Sequence, residues 1–264
     1  MSESVDHLAR VRRKVAGIAR VARACGDERF ATGHEGFDAA FEGGLARGRV
    51  HEMFALEADD AASAAGFAAM LALRARRGGQ PVMWLRTDDA ERRGGGLYAP
   101  GLAELGGDPG ELVIGQAPDP VALLRGAADA ARCAGLGALI VECWGKCPAL
   151  DLTASRRLAL AAERSGTVVF MLRADAEPVP SSAETRWSVR AAGSDGLEAD
   201  APGPPTFEIE LLRRRAGLAG TRWRMEWDRD RCIFREPALP GDLVSLPSRG
   251  PAAPAPAERI RLIA

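Results

Sequence analysis

The stretch "HEMFALEADDAASAAGFAAMLA", His51 to Ala72, decides how the chain is read. It has the outline of a strand, a turn and the start of a helix. Phosphate-binding loops use that order, with glycines so that backbone N–H groups curl around the anion, a Lys to reach the outer phosphates, and a Ser or Thr hydroxyl for magnesium. This turn contains no glycine, and the only lysines of the chain are Lys14 and Lys146, remote on either side. The outline of a phosphate loop is present without its chemistry.

Working outward, strands and helices alternate. "VHEMFAL" reads as a strand and "SAAGFAAMLALRARR" as a helix ended by Gly78-Gly79. "PVMWLRT" is a strand, "RRGGGLYAPG" lies in a loop, "ELVIGQA" is a strand, "PVALLRGAADAARCAG" a helix and "GALIVECWG" a buried strand. A helix over 152–165 leads to the strand "GTVVFMLRA". The pattern predicts an α/β fold, a mainly parallel sheet with helices on both faces. From residue 183 it changes to "ETRWSVRAA", "TFEIELLRRRAG" and "TRWRMEWD", short strands expected to add antiparallel to one sheet edge.

Both ends differ from this core. Over residues 4–25, Val5, Leu8, Val11, Val15, Ile18, Ala22 and Cys25 recur three or four apart, predicting a helix with one apolar face and a basic remainder that includes Arg12. Beyond about residue 236 the Pro- and Ala-rich composition predicts a disordered tail ending in "ERIRLIA". The expected division is 1–26 amphipathic helix, 27–236 core and 237–264 tail.

The 264 residues are 47% hydrophobic and 27% charged, a globular balance, and a net charge of -1 argues against a chain that coats nucleic acid or an anionic membrane. Five cysteines, Cys25, Cys133, Cys143, Cys147 and Cys232, lack a disulfide pattern, and no N-terminal apolar segment marks export, so a cytoplasmic protein with reduced thiols is expected. Cys143 and Cys147 have ligand-like spacing, but no second pair or nearby His completes a metal site. They read as ordinary core or loop cysteines.

The order and wording of these pieces resemble the RecA core, and more closely the ImuA family, RecA-like accessory proteins of bacterial damage-induced mutagenesis. "ATGHEGFDAAFEGGLARGRVHEMFA" looks like the segment leading into the RecA phosphate loop: a threonine-glycine turn, an Asp in a short helix, a double glycine, then the strand. "GLYAPGLAEL", "GALIVE", "TVVFML", "RWSVRA" and the ending "ELLRRRAG…RWRMEWD" extend the resemblance over residues 27 to 235.

On the RecA register, Ala55 takes the first Gly position, Asp60 the second, Ala61 that of Lys and Ala62 that of Ser/Thr. Asp59 and Asp60 would bring carboxylates to the helix N-terminus, where like charges about 4 Å apart repel phosphate by roughly 1 to 4 kcal/mol. The same carboxylates are expected to satisfy first-turn N–H groups, standing in for the missing anion; an ordinary acidic cap predicts the same. Asp88 stands where RecA-like ATPases carry a water-activating Glu, Glu142 replaces the Asp that helps hold magnesium, and Tyr98 matches an adenine-stacking aromatic. With no Lys or hydroxyl to position phosphate, Asp88 and Glu142 are expected to be relic or structural, Tyr98 a packing residue, and neither cofactor nor metal is expected.

The segments 144–152 and 173–184 lie where RecA places its DNA loops, with only Lys146 and Arg173 near them, so DNA contact is expected to be weak or indirect. Arg213, Arg214 and Arg215 read as a solvated strand end. The resemblance implies a non-catalytic adaptor of the SOS response, linking RecA and an ImuB-type polymerase relative to an error-prone C-family polymerase in translesion synthesis. Leu8, Arg12, Val15 and Ile18 of the first helix and Ile260, Leu262 and Ile263 of the tail are its candidate contacts. A SulA-like division inhibitor and a weak RecA-like ATPase are the competing readings.

Overall fold

In the computed structural model the described residues are 28–194, 196, 201 and 203–237. The expected first helix and the tail from residue 238 onward, with all seven candidate partner contacts, lie outside them.

The chain first forms a two-stranded antiparallel ribbon, β1 (Arg29–Phe30) with β2 (Leu45–Ala46), around helix α1 (Glu35–Ala40). Its unusual wording has local causes. Asp38 accepts from Thr32 N and Oγ1, both at 2.8 Å, and from Gly33 N at 2.9 Å, which ties the threonine-glycine turn to the helix. Gly44 has φ 120°, and a Cβ there would sit 2.0 Å from the Phe30 carbonyl oxygen, so no larger residue fits.

A nine-stranded sheet follows, in the order β11-β10-β9-β8-β3-β7-β6-β4-β5. β3 (Val50–Ala55) is flanked by β7 (Val168–Ala174) and β8 (Thr185–Ala191), and β4 (Val82–Thr87), β5 (Leu112–Ala117) and β6 (Ala138–Trp144) complete the parallel set. β9 (Thr206–Arg214), β10 (Arg222–Asp228) and β11 (Ile233–Arg235) add antiparallel at one edge. Central position buries every residue of β3, and so its wording is apolar rather than alternating.

Helix α2 (Ala61–Ala75) covers one face. Ala61, Ala64, Ala68, Ala72 and Ala75 are buried, and their small side chains permit close approach to the sheet. Phe67 extends the contact to Phe207 and Phe234 of the antiparallel edge, ring centroids 5.4 and 5.1 Å away. Burial of such a ring stabilises by about 1.5–3 kcal/mol. Helices α5 (Pro120–Ala130) and α6 (Leu152–Ser165), introduced after α3 (Asp88–Gly94) and α4 (Ala99–Glu104), cover the other face through Leu123, Leu158 and Ala161.

Three expectations change. "ETRWSVRAA" pairs parallel with β3, and antiparallel pairing starts only at β9. The expected "RRGGGLYAPG" loop is largely helical: Thr87 Oγ1 accepts from Ala90 N at 3.0 Å and starts α3, and Pro100 sits in the first turn of α4. β11 was not expected; Phe234 N donates to Thr32 O at 3.0 Å, a partner only the folded chain supplies.

His51, wholly buried in β3, joins the ribbon to the sheet. Its Nε2–H donates to Ala46 O at 2.9 Å, and Nδ1 accepts from Thr185 Oγ1 at 2.7 Å, which in turn accepts from Trp187 Nε1. Burial chiefly lowers its pKa from 6.5 to about 4. The unfolded chain therefore takes up a proton below about pH 6.5 that the native state refuses until about 4, and stability falls with pH across that window by up to roughly 3 kcal/mol. Urea unfolding midpoints at about pH 7 and pH 4.5 should show a smaller acid loss for His51→Gln than for the natural chain.

Candidate functional site

Between β3 and α2 the chain makes no phosphate cradle. Residues 58–60 form a 3-10 turn that runs straight into α2, Asp60 N is taken by Glu57 O at 3.2 Å, and no residue from 55 to 62 has positive φ. Neither Glu57 nor Asp60, the capping positions, caps through its side chain; instead Asp60 Oδ1 accepts from Ala191 N, at the end of β8, at 3.1 Å. This corrects the expectation that both carboxylates satisfy first-turn N–H groups. Asp60 ties α2 to the sheet, and exposed Asp59 faces the cavity beside it.

Glu142 lies on the far wall of that cavity and is fully engaged. Its Oε1 accepts from Arg86 Nη2 at 3.1 Å and Trp144 Nε1 at 2.8 Å, and its Oε2 from Trp84 Nε1 at 2.9 Å. Arg86 and Glu142 are direct neighbours in the β4–β6 register, 2% and 4% exposed. The guanidinium also donates to Gly95 O at 2.7 Å and Ala90 O at 2.9 Å, holding α3 and its end against the sheet, while its Nε has no hydrogen-bond partner. The charge partner of this carboxylate is thus a protein cation.

The cavity, about 220 Å³, is lined by Asp59, Ala62, Trp84, Arg86, Gly95 and Trp144 among others. Asp59, Ala61, Ala62 and Glu142 are thus brought together; Ala55 ends β3 below them. Asp88 and Tyr98 are not among the lining residues. Asp88 is exposed in the first turn of α3, and Tyr98 is 72% exposed, so it is no packing residue. The triple glycine has a structural cause: a Cβ on Gly94 would meet the Trp144 ring at 2.9 Å, and Gly95 has φ 75°. Arg86 was missed by sequence reasoning. A cation inside "VMWLRT", facing an acid at the end of "ALIVE", was the available signal.

Of the two basic residues near the expected DNA loops, Lys146 is exposed at the edge of a neighbouring cavity and only Arg173 is occupied. Arg173 is buried and donates to Gly145 O at 3.1 Å. Arg213 donates to Ala183 O at 3.3 Å, and Arg214 lies over the Phe41 ring at 4.8 Å while donating to Ala40 O at 3.0 Å. These two belong to packing rather than to a solvated strand end. Among the described residues no cluster of His, Cys, Asp or Glu could hold a metal ion, and no helix is long and apolar enough to cross a membrane.

The RadB recombinase crystal structure superposes with a TM-score of 0.52 over 78% of this chain and 99% of its own, at 15% sequence identity, which shows a RecA-like fold. Protein ImuA of Caulobacter vibrioides, from two strains, is 35% identical over 204 residues, covering 71% of this chain and 79% of that protein. The chain belongs to the ImuA family. No protein-family model matches it. This ImuA-family chain keeps the RecA-like sheet, and in it Asp60 and Glu142 are both engaged by protein groups.

Removing one partner of a buried ion pair strands the other charge. Arg86→Met should cost about 3–5 kcal/mol, against less than about 1 kcal/mol for Arg93→Met, whose pair with Asp89 is half exposed. The double change Arg86→Met with Glu142→Leu should recover part of the loss, read from urea unfolding.

Proposed function

We propose that this ImuA-family chain is a non-catalytic, RecA-like adaptor of damage-induced translesion synthesis. The observation that carries the reading is Glu142: the carboxylate at the metal position is held by Arg86 and two indoles, inside a fold that has otherwise been kept. Coordination of magnesium through water would require that network to open. The absence of lysine from residues 15–145 and the negative Asp59 at the cavity mouth add to the same conclusion. With hydrolysis gone, selection on the fold is selection on its surfaces.

The partners proposed are RecA and an ImuB-type polymerase relative, and through them an error-prone C-family polymerase. The apolar positions Leu8, Val15 and Ile18, with Arg12 beside them, suit a helix that fills a groove on one partner. Ile260, Leu262 and Ile263 suit a short linear motif for the other. DNA contact is weak or passes through the partners, in keeping with Arg173, Arg213 and Arg214 being spent on carbonyl groups.

Affinity purification of the tagged full chain from its host after DNA damage should recover RecA and the ImuB-type protein. Versions lacking residues 1–26 or 237–264 should each lose one of them. Recovery of the tubulin-like division protein alone, or of neither expected partner, would refute the adaptor reading.

A further inference from the structure

On the α6 side of the sheet, a second group of side chains is left unused by the degenerate phosphate site. Cys143 lies near the end of β6, directly beside Arg173 of β7 in the strand register. Gly145, with φ 61°, then turns the chain, and Leu150 N donates to Cys147 O at 3.0 Å to close the next turn. The result sets the Cys147 thiol beside that of Cys143 in the lining of one cavity. Spacing of four residues here reflects a strand end folding back on itself.

Arg173 gives the pair its chemistry. It is 2% exposed, and although Nη2 donates to Gly145 O, neither Nε nor Nη1 has a hydrogen-bond partner. A buried guanidinium with unmet donors favours an anion nearby, and a thiolate is the one that this pair can supply. Contact with the Cys143 thiol lowers the Cys147 pKa to about 6, helped by the N–H groups of Leu150 and Ala149 and by Arg173, against the opposing effect of burial. The same contact, together with burial, raises that of Cys143. Both thiols are largely buried, and Cys147, 8% exposed against 2% for Cys143, is the more accessible from the cavity. Both cysteines line an open cavity of about 380 Å³ whose other walls include Lys146, Arg92, Arg93 and Thr87, an excess of positive charge over Asp89.

We propose that Cys143 and Cys147 form a reactive dithiol that takes small, carboxylate-bearing disulfides from this cavity, Cys147 being the attacking sulfur and Cys143 the resolving one. The Cys147 thiolate forms a bond to one sulfur of the small disulfide, whose S–S bond breaks and releases a thiolate that is protonated by water. Cys143 then gives its proton to solvent and attacks the Cys147 sulfur, expelling the second small thiolate. The protein dithiol loses two electrons to become a disulfide, and the small disulfide is reduced to two thiols. Closure pins the turn after β6 to the strand end next to Trp144, a wall of the degenerate site.

The full chain, reduced and treated with glutathione disulfide, is digested and mapped by mass spectrometry. The expected product is a Cys143–Cys147 disulfide without retained glutathione, whereas Cys143→Ser should keep glutathione on Cys147. Iodoacetamide at about pH 6.5 should label Cys147 before Cys25, Cys133 or Cys232. Cystamine, a cationic disulfide, should react more slowly than glutathione disulfide; an equal or faster rate overturns the proposed substrate class. Persistent glutathione on Cys147 of the natural chain, or first labelling at exposed Cys133, overturns the dithiol itself, and both are read without any variant.

Discussion

The ion pair between Arg86 and Glu142 is the constraint on which the candidate site depends. It joins β4 to β6 where the strands end, collects the indoles of Trp84 and Trp144, and through Gly95 O and Ala90 O fixes α3 and the glycine turn above the cavity. An unpaired charge at so buried a position would cost several kcal/mol, so each partner makes the other necessary. Once Arg86 neutralises Glu142 internally, a metal ion beside the same carboxylate has less to gain.

On the opposite side of the cavity, the 3-10 turn at 58–60 extends α2 toward the sheet, and Asp60 anchors that extension to the end of β8. The helix N-terminus thus needs no phosphate to tie it down. Small residues along α2 and the wholly buried β3 supply the packing of helix on sheet. The similarity to a recombinase at only 15% identity is understandable on this basis: burial preserves the layers, and nothing requires the site to be preserved with them.

The parallel core was legible in the sequence because apolar runs such as "GALIVE" and "TVVFML" are buried on both faces, and their strand character follows from length and flanking turns. Strand direction was not, because parallel and antiparallel pairing of "ETRWSVRAA" leave the same local pattern. The missing lysine and glycines of the turn are facts of the sequence itself. What replaced them was hidden: Asp60 meets Ala191 across 131 residues and Arg86 meets Glu142 across 56. Such partners become visible only when the strand order is known. Tyr98, expected to pack, projects into solvent because α4 presents its N-terminus outward.

We propose that this RecA-like fold has closed its nucleotide site from within. Equilibrium titration of the intact chain with ATP and magnesium, followed by calorimetry, tests it most directly. No saturable binding is expected at micromolar nucleotide. A saturable isotherm there, abolished by Glu142→Gln, would contradict it and return the chain to the nucleotide-dependent members of its fold.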